Sequence, residues 1–250
     1  MTEVARFALA GGAAVIAGVV NAIAGGGSLI TFPALVAGGL PAVAASVTNT
    51  IGMMPGYLGG TLAQRRDLVG QRAHILRLWP AGAVGGVIGA VLLLHTGEAA
   101  FARIVPYLIL FAALLLAAQD RLRRWLVAHV QGHSEAWAIL PIGLASIYGG
   151  YFGAGLGVMI LAALAVVIDD SLTRLNAVKQ GVSLACNGAA ALWLVFSDQV
   201  DWPIVEIMFA GSLIGGIIGG TIASRIPPAI LRWTVVVLAV IVGVGYLIKG

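Results

Sequence analysis

The chain has 250 residues, of which 60% are hydrophobic and only 10% charged, with a formal net charge of +4. A water-soluble domain carries about 25% charged residues, so this composition excludes a soluble globular protein and leaves an integral membrane protein in a lipid bilayer. The absence of a basic face with interleaved aromatics excludes nucleic acid as a partner, and the single Cys186 excludes an intrachain disulfide or a cysteine-rich metal centre.

Apolar segments run at 5–24, 28–38, 41–62, 76–95 and 101–118, and again at 136–151, 154–168, 171–196, 202–222 and 229–248. The first could imitate a signal peptide ending at Ala22-Ile-Ala24. The same theme recurs internally near Gly153, so it is read as a membrane segment of the mature chain. Between the first and second segments lies Asn21-Ala-Ile-Ala-Gly25-Gly26-Gly27-Ser28. Glycines this dense interrupt a helix and free its backbone N–H and C=O groups. In hydrocarbon such groups need partners, so the break is expected to line a cavity or site. Ser28 starts the next helix, and a helix N-terminus carries unpaired N–H donors and a partial positive charge.

The third segment carries Thr48 and Asn49 about 12 Å from its start. The fourth carries Gly82, Gly86 and Ala90, a smooth stripe for close helix packing within the chain or at a homodimer contact. The fifth begins near Arg103. The stretch from 119 to 135, with Asp120, Arg121, Arg123, Arg124, His129, His133 and Glu135, reads as a cytoplasmic linker. His74 and His95 also read as loop residues, and no histidine spacing suits a metal.

The pattern then repeats. Gly153-Ala154-Gly155 stands where Gly25-Gly26-Gly27 stood, Asn176 falls against Asn49, and Gly211, Gly215 and Gly219 fall against Gly82, Gly86 and Ala90. Arg232 falls against Arg103, and both are expected at head-group level. The expected fold is an all-α polytopic membrane protein of two homologous halves, 1–118 and 136–250. Each half holds a glycine-rich broken helix or helical hairpin plus about three further membrane helices. Short hairpin arms make three crossings per half and therefore inverted repeats; one long broken helix makes four crossings and parallel halves. Loop charge favours inversion, with Arg65, Arg66, Arg72, Arg77, Arg174 and Arg225 cytoplasmic and Asp198 and Asp201 outside.

Lys179 is the sharpest residue in the chain. It sits near mid-bilayer depth with Asn176 and Gln180, where a lysine is unfavourable by about 2.5–3.5 kcal/mol. No carboxylate lies at matching depth, so it is offered to an anionic substrate, unless it snorkels to the surface or reaches Asp169 or Asp170. Tyr57 and Asn187 are weaker polar candidates. Two breaks at matching places in two halves mark a transporter's binding site. The expected site comprises Asn21, Gly25, Gly26, Gly27, Ser28, Thr48, Asn49, Gly153, Ala154, Gly155, Asn176, Lys179 and Gln180, closing on a small anionic solute. An anion channel, or a membrane enzyme or assembly factor, fits the same pattern. A nucleotide-binding loop is absent and no cofactor is expected.

The motifs Asn21-x3-Gly25-Gly26-Gly27-Ser28 with Pro33, Ala45-x2-Thr48-Asn49, and Gly153-Ala154-Gly155-Leu156-Gly157 followed by Asn176-Ala-Val-Lys179 resemble the sulfite exporter TauE/SafE family. The resemblance spans about residues 10–248. It implies a multi-pass permease of the bacterial inner membrane for sulfur-containing anions such as sulfite or organosulfonates. The second tip has Ala154 where the first has Gly26, and it lacks a counterpart of Ser28.

Overall fold

The computed structural model describes residues 2–130, 136–223, 225 and 228–249. Among them the chain forms ten helices: α1 (Glu3–Ile23), α2 (Ser28–Ala37), α3 (Ala42–Ala63), α4 (Arg72–Thr96), α5 (Glu98–Val130), α6 (Ala136–Tyr151), α7 (Leu156–Val167), α8 (Leu172–Leu194), α9 (Trp202–Ile222) and α10 (Pro228–Lys249). A short second helix recurs as the seventh, as the glycine clusters require.

Two features differ from the sequence reading. First, α5 does not stop near residue 118 but continues to Val130, so most of the polar stretch is helix. His129 falls within α5, and His133 lies outside the described residues. Second, His74 and His95 occupy the two ends of α4 rather than loops, and the His95 ring nitrogen meets Val91 O at 2.8 Å. Helix α1 matches the first apolar segment: it has 21 residues, about 31 Å of helix, so the first hairpin pairs a full-length arm with a short one.

Five helices, α1, α4, α5, α9 and α10, are long and apolar enough to cross a membrane. Their outer faces expose large apolar side chains such as Leu92, Leu114, Ile218, Leu238 and Ile241, which water would not tolerate in such number. The long helices α3 and α8 are more polar because they are wrapped by protein: Ser46, Thr48, Asn49 and Thr50 on α3, and Lys179, Gln180, Ser183 and Asn187 on α8, are all buried. Polar residues in a membrane helix face the bundle interior.

Packing exchanges helices between the two sets of five. Helix α9 packs against α1 and α3, and α4 packs against α6 and α8. The glycine stripes form these seams. A methyl group on Gly215 would overlap Val15 O, and one on Gly86 would overlap Cys186 O. Only a bare backbone fits, and close approach replaces the hydrophobic drive missing in lipid.

Contacts also fix direction. Gly11, Val15 and Val19 meet Gly211, Gly215 and Gly219 in rising order, so α1 and α9 are parallel. Gly85 and Gly89 meet Gly143 and Ile147 likewise, so α4 and α6 are parallel. Helices α3 and α8 run the opposite way to each other: Gly60 lies against Gln180, and Gln64 bonds to Asn176. The last helices, α5 and α10, are also antiparallel, with Asp120 paired to Arg232 and Ile109 against Gly243.

One end of the bundle is rich in arginine. Arg174 donates to Val69 O at 2.7 Å, and Gln71 donates to Asp170 at 2.6 Å, tying the α3–α4 turn to the start of α8. At the opposite end Arg6 pairs with Asp201 at 3.3 Å. There Glu98 accepts from the N–H groups of Ala42 and Val43, placing its carboxylate on the positive end of α3.

Candidate functional site

The first break is built from backbone outward. Gly25 and Gly26 take left-handed φ values of +77° and +94°, a region that favours glycine. The Gly27 N–H donates to Asn21 Oδ1 at 2.6 Å, so Asn21 holds the break in shape. Helix α2 then begins at Ser28 without a side-chain cap. The second break uses left-handed Gly153 and Gly155, and α7 begins at Leu156, again uncapped by a side chain.

The two breaks meet. A methyl on Gly153 would lie 3.4 Å from Ser28 Oγ, and one on Gly157 would lie 3.4 Å from both Gly25 Cα and Lys179 Cδ. Around this junction two polar groups form. Asn49 donates to Ser28 Oγ at 3.2 Å and accepts from the Thr31 hydroxyl. The Lys179 ammonium donates to Asn176 Oδ1 at 2.6 Å and to Asn21 O at 3.4 Å. Asn176 in turn donates to Ala22 O at 3.0 Å and Gln64 Oε1 at 2.8 Å. Lys179 is 1% exposed, and among the described residues no carboxylate pairs with it. The alternatives of snorkelling to the surface and of pairing with Asp169 or Asp170 are not what the structure shows: neutral oxygens hold the ammonium inside.

The expected residues sort by where they point. Asn21, Gly25, Gly27, Ser28, Asn49, Gly153, Asn176 and Lys179 converge on the junction. Gln180 flanks it on the α3–α8 seam beside Gly60, buried, with neither amide atom partnered among the described residues. Thr48 turns away and accepts from the Asp201 N–H at 3.1 Å, joining α3 to the start of α9. Gly26 faces Leu116 and Gly155 faces Ala112, both on α5, while Ala154 is packed in the apolar core. Of the weaker candidates, Tyr57 lies beside Asn187 and Asn21. Thr31 and Gln64 escape the sequence reading. Thr31 is one turn on from Ser28 and carries a usable signal; Gln64, at the end of α3, carries none.

Arg103 and Arg232, expected together at head-group level, differ in burial: Arg103 is exposed, whereas Arg232 is 6% exposed and paired with Asp120 at 2.7 Å. Arg232 lines a cavity of about 520 Å³ that enters from the arginine-rich end and reaches Ile23, Ala24, Val158 and Asn176 beside the junction. Toward the other end, aromatic rings pack together. Phe32 meets Phe152 edge-on at 5.2 Å, Phe101 meets Tyr151 at 5.4 Å, and the Tyr151 hydroxyl bonds to Thr96 at 3.2 Å.

An interior cation, buried amides and two uncapped helix starts, reached from one side of a helical bundle, form the polar centre of a polytopic membrane protein. The sequence model of the family described as Sulfite exporter TauE/SafE matches residues 10–246, and the chain belongs to that family. It is 26% identical over 232 residues to a probable membrane transporter protein of Haemophilus influenzae, covering 90% of this chain and 88% of that one. It is 25% identical to the probable membrane transporter protein YfcA of Escherichia coli, covering 91% and 84%. A probable membrane transporter protein, ORF9, of a Sinorhizobium species is 25% identical, with 94% and 90% covered.

Proposed function

We propose that this protein is a secondary transporter of the bacterial inner membrane. It carries a small sulfur-containing anion, such as sulfite or an organosulfonate, by alternating access. Lys179 carries the reading. A buried ammonium held only by neutral oxygens can exchange those partners for an anion, and the ion pair gains strength in a low-dielectric interior. Ser28 and Asn49 supply hydroxyl and amide donors from the other side of the junction, and the starts of α2 and α7 add their positive ends.

The two halves are an inverted repeat with the arginine-rich end in the cytoplasm. The antiparallel course of α3 and α8, counterparts in the two halves, supports this, as does the positive-inside tendency. The C-terminus of α10 is then outside the cell. The cavity on the cytoplasmic side and the aromatic layer on the outer side match an inward-open state.

The test is sulfite uptake into vesicles holding the purified protein. Saturable uptake with exchange of internal for external anion is expected of a carrier; unsaturable flux would favour a channel, and no flux an enzyme or assembly factor. Lys179→Ala is expected to lower uptake at least about tenfold, ~1.4 kcal/mol of lost interaction. Uptake and affinity at the native level in a folded Lys179→Ala protein would remove the assignment.

A further inference from the structure

Between the solvent at the arginine-rich end and Lys179, the cavity of about 520 Å³ is lined by Asp120, Arg123, Arg225 and Arg232. The central pair is unequal. Arg232 has only 7% of its side chain exposed, whereas its partner Asp120 has 59% exposed. The carboxylate reaches the buried guanidinium from the water side and can swing off it. The guanidinium cannot follow, and a buried cation stripped of its partner is strongly unfavourable. Two donors here have no hydrogen-bond partner among the described residues: Arg232 Nε and Arg123 Nε, both buried. Arg232 therefore offers more donors than Asp120 takes up, in a planar fork suited to an oxyanion.

We infer that this vestibule is a second anion-binding site, separate from the junction at Lys179. Its ligand is a tetrahedral or pyramidal oxyanion, sulfate-like in charge and size, and Asp120 is its built-in competitor. With no ligand, Asp120 neutralises Arg232. An arriving oxyanion displaces Asp120, takes the Arg232 fork with Arg123 alongside, and rests one step from Asn176, whose amide already holds Lys179. The same chemistry is presented by a free inorganic oxyanion and by a phospholipid head group. The inference extends the transport reading, since it places a staging post at the cytoplasmic mouth, but the vestibule can bind whether or not Lys179 works as proposed.

The test uses the full-length protein in nanodiscs, with potassium sulfate as the probe against matched potassium chloride, read as the ligand-induced rise in unfolding temperature. Lys179→Ala serves as the background, so that stabilisation by sulfate reports the vestibule. On that background Asp120→Asn keeps the shape, removes the competitor and is expected to tighten sulfate binding about tenfold. Arg232→Gln is expected to abolish it. Should Arg232→Gln fail to fold, Arg123→Gln, on a less buried side chain, is expected to weaken sulfate several-fold. Native uptake by Lys179→Ala with the Asp120→Asn effect intact would sink the transport site and leave the vestibule standing. Sulfate affinity that Asp120→Asn leaves unchanged, or no sulfate binding with or without that substitution, would overturn the vestibule. Repeating the titration with phosphatidylglycerol in place of phosphatidylcholine separates the sources: weakened sulfate binding identifies a head group as occupant, unchanged binding a free anion.

Discussion

Gly25 and Gly157 touch: a methyl group on either would lie 3.4 Å from the Cα of the other. This contact joins the break after α1 to the first turn of α7, and it sets the Lys179 stem against the same spot. The helix interruptions, far apart in sequence, therefore act as one structural unit with the cation beside it.

The two glycines should respond differently to substitution. Gly25 has φ +77°, so Gly25→Ala forces a side chain into left-handed backbone at about 1–2 kcal/mol. A lower unfolding temperature and reduced uptake are expected. Gly157 has ordinary helical backbone with space for one methyl, so Gly157→Ala should be tolerated. Gly157→Val adds branches that press on both Gly25 and Lys179, and uptake should fall by an order of magnitude while the protein stays folded. Equal uptake by Gly157→Val and Gly157→Ala would mean that the junction lies off the substrate path.

Ser28 and Thr48 are both buried hydroxyls that the sequence puts in one cage, and the structure separates them. Ser28→Ala removes a donor at the junction and leaves Asn49 Nδ2 short of its acceptor. A several-fold rise in the sulfite concentration for half-maximal uptake is expected. Thr48→Val instead frees the Asp201 N–H, a loss of roughly 1 kcal/mol in stability, with half-maximal concentration unchanged. Uptake titrations set beside thermal melts of the two variants separate the roles; a shift in half-maximal concentration for Thr48→Val would return that residue to the cage.

That pair also shows what the sequence can carry. Helix order, the short second and seventh helices and the buried Lys179 are legible because each follows from apolar length or from the rarity of charge in hydrocarbon. Thr48 and Asn49 are adjacent, yet successive helical residues point about 100° apart, and only the packing of α9 on α3 decides which faces the junction. Apolar periodicity ends near 118, so the sequence stops α5 there; Asp120 and the arginines beyond it are helical without that signal, and Asp120 is held by Arg232 of α10. Arg103 and Arg232 hold matching places in the two halves, and no sequence rule separates the exposed one from the buried one. The difference comes from Asp120, a contact across 112 residues of chain (232 − 120).

No sequence pattern singles out Glu98, yet both its oxygens receive N–H groups at the start of α3. Glu98→Ala should lower stability by about 1–2 kcal/mol, the usual effect of losing an N-cap with a favourable charge. Glu98→Gln should recover part of that through its remaining amide oxygen. Thermal melts in a fixed detergent give the order; an unshifted melt for Glu98→Ala would show that the carboxylate bonds contribute nothing net.

The aromatic layer at the end opposite the cavity is expected to be the outer gate. Its four rings interlock edge-to-face: Phe32 with Phe101 and Phe152, and Phe101 with Tyr151 and Phe152. Ile23 and Ala24 hold in the first half the places that Tyr151 and Phe152 hold in the second, and they line the open cavity. Aromatic bulk thus sits at the end opposite the cavity and smaller groups line the cavity, and ring pairs add about 0.5–1.5 kcal/mol each beyond area burial. Phe152→Leu keeps an apolar filler but removes those ring contacts, so the outward-open state should gain population. Ser46 is buried on α3 just behind the layer, with its hydroxyl on Tyr151 O at 3.4 Å. In a protein carrying Cys186→Ala and Ser46→Cys, a membrane-impermeant thiol reagent added outside should label the new thiol slowly. Adding Phe152→Leu should speed labelling several-fold, and saturating sulfite should slow it again by shielding the path. Labelling that ignores Phe152→Leu would mean the rings are structural filling, and the outer opening would have to lie elsewhere among the helix ends.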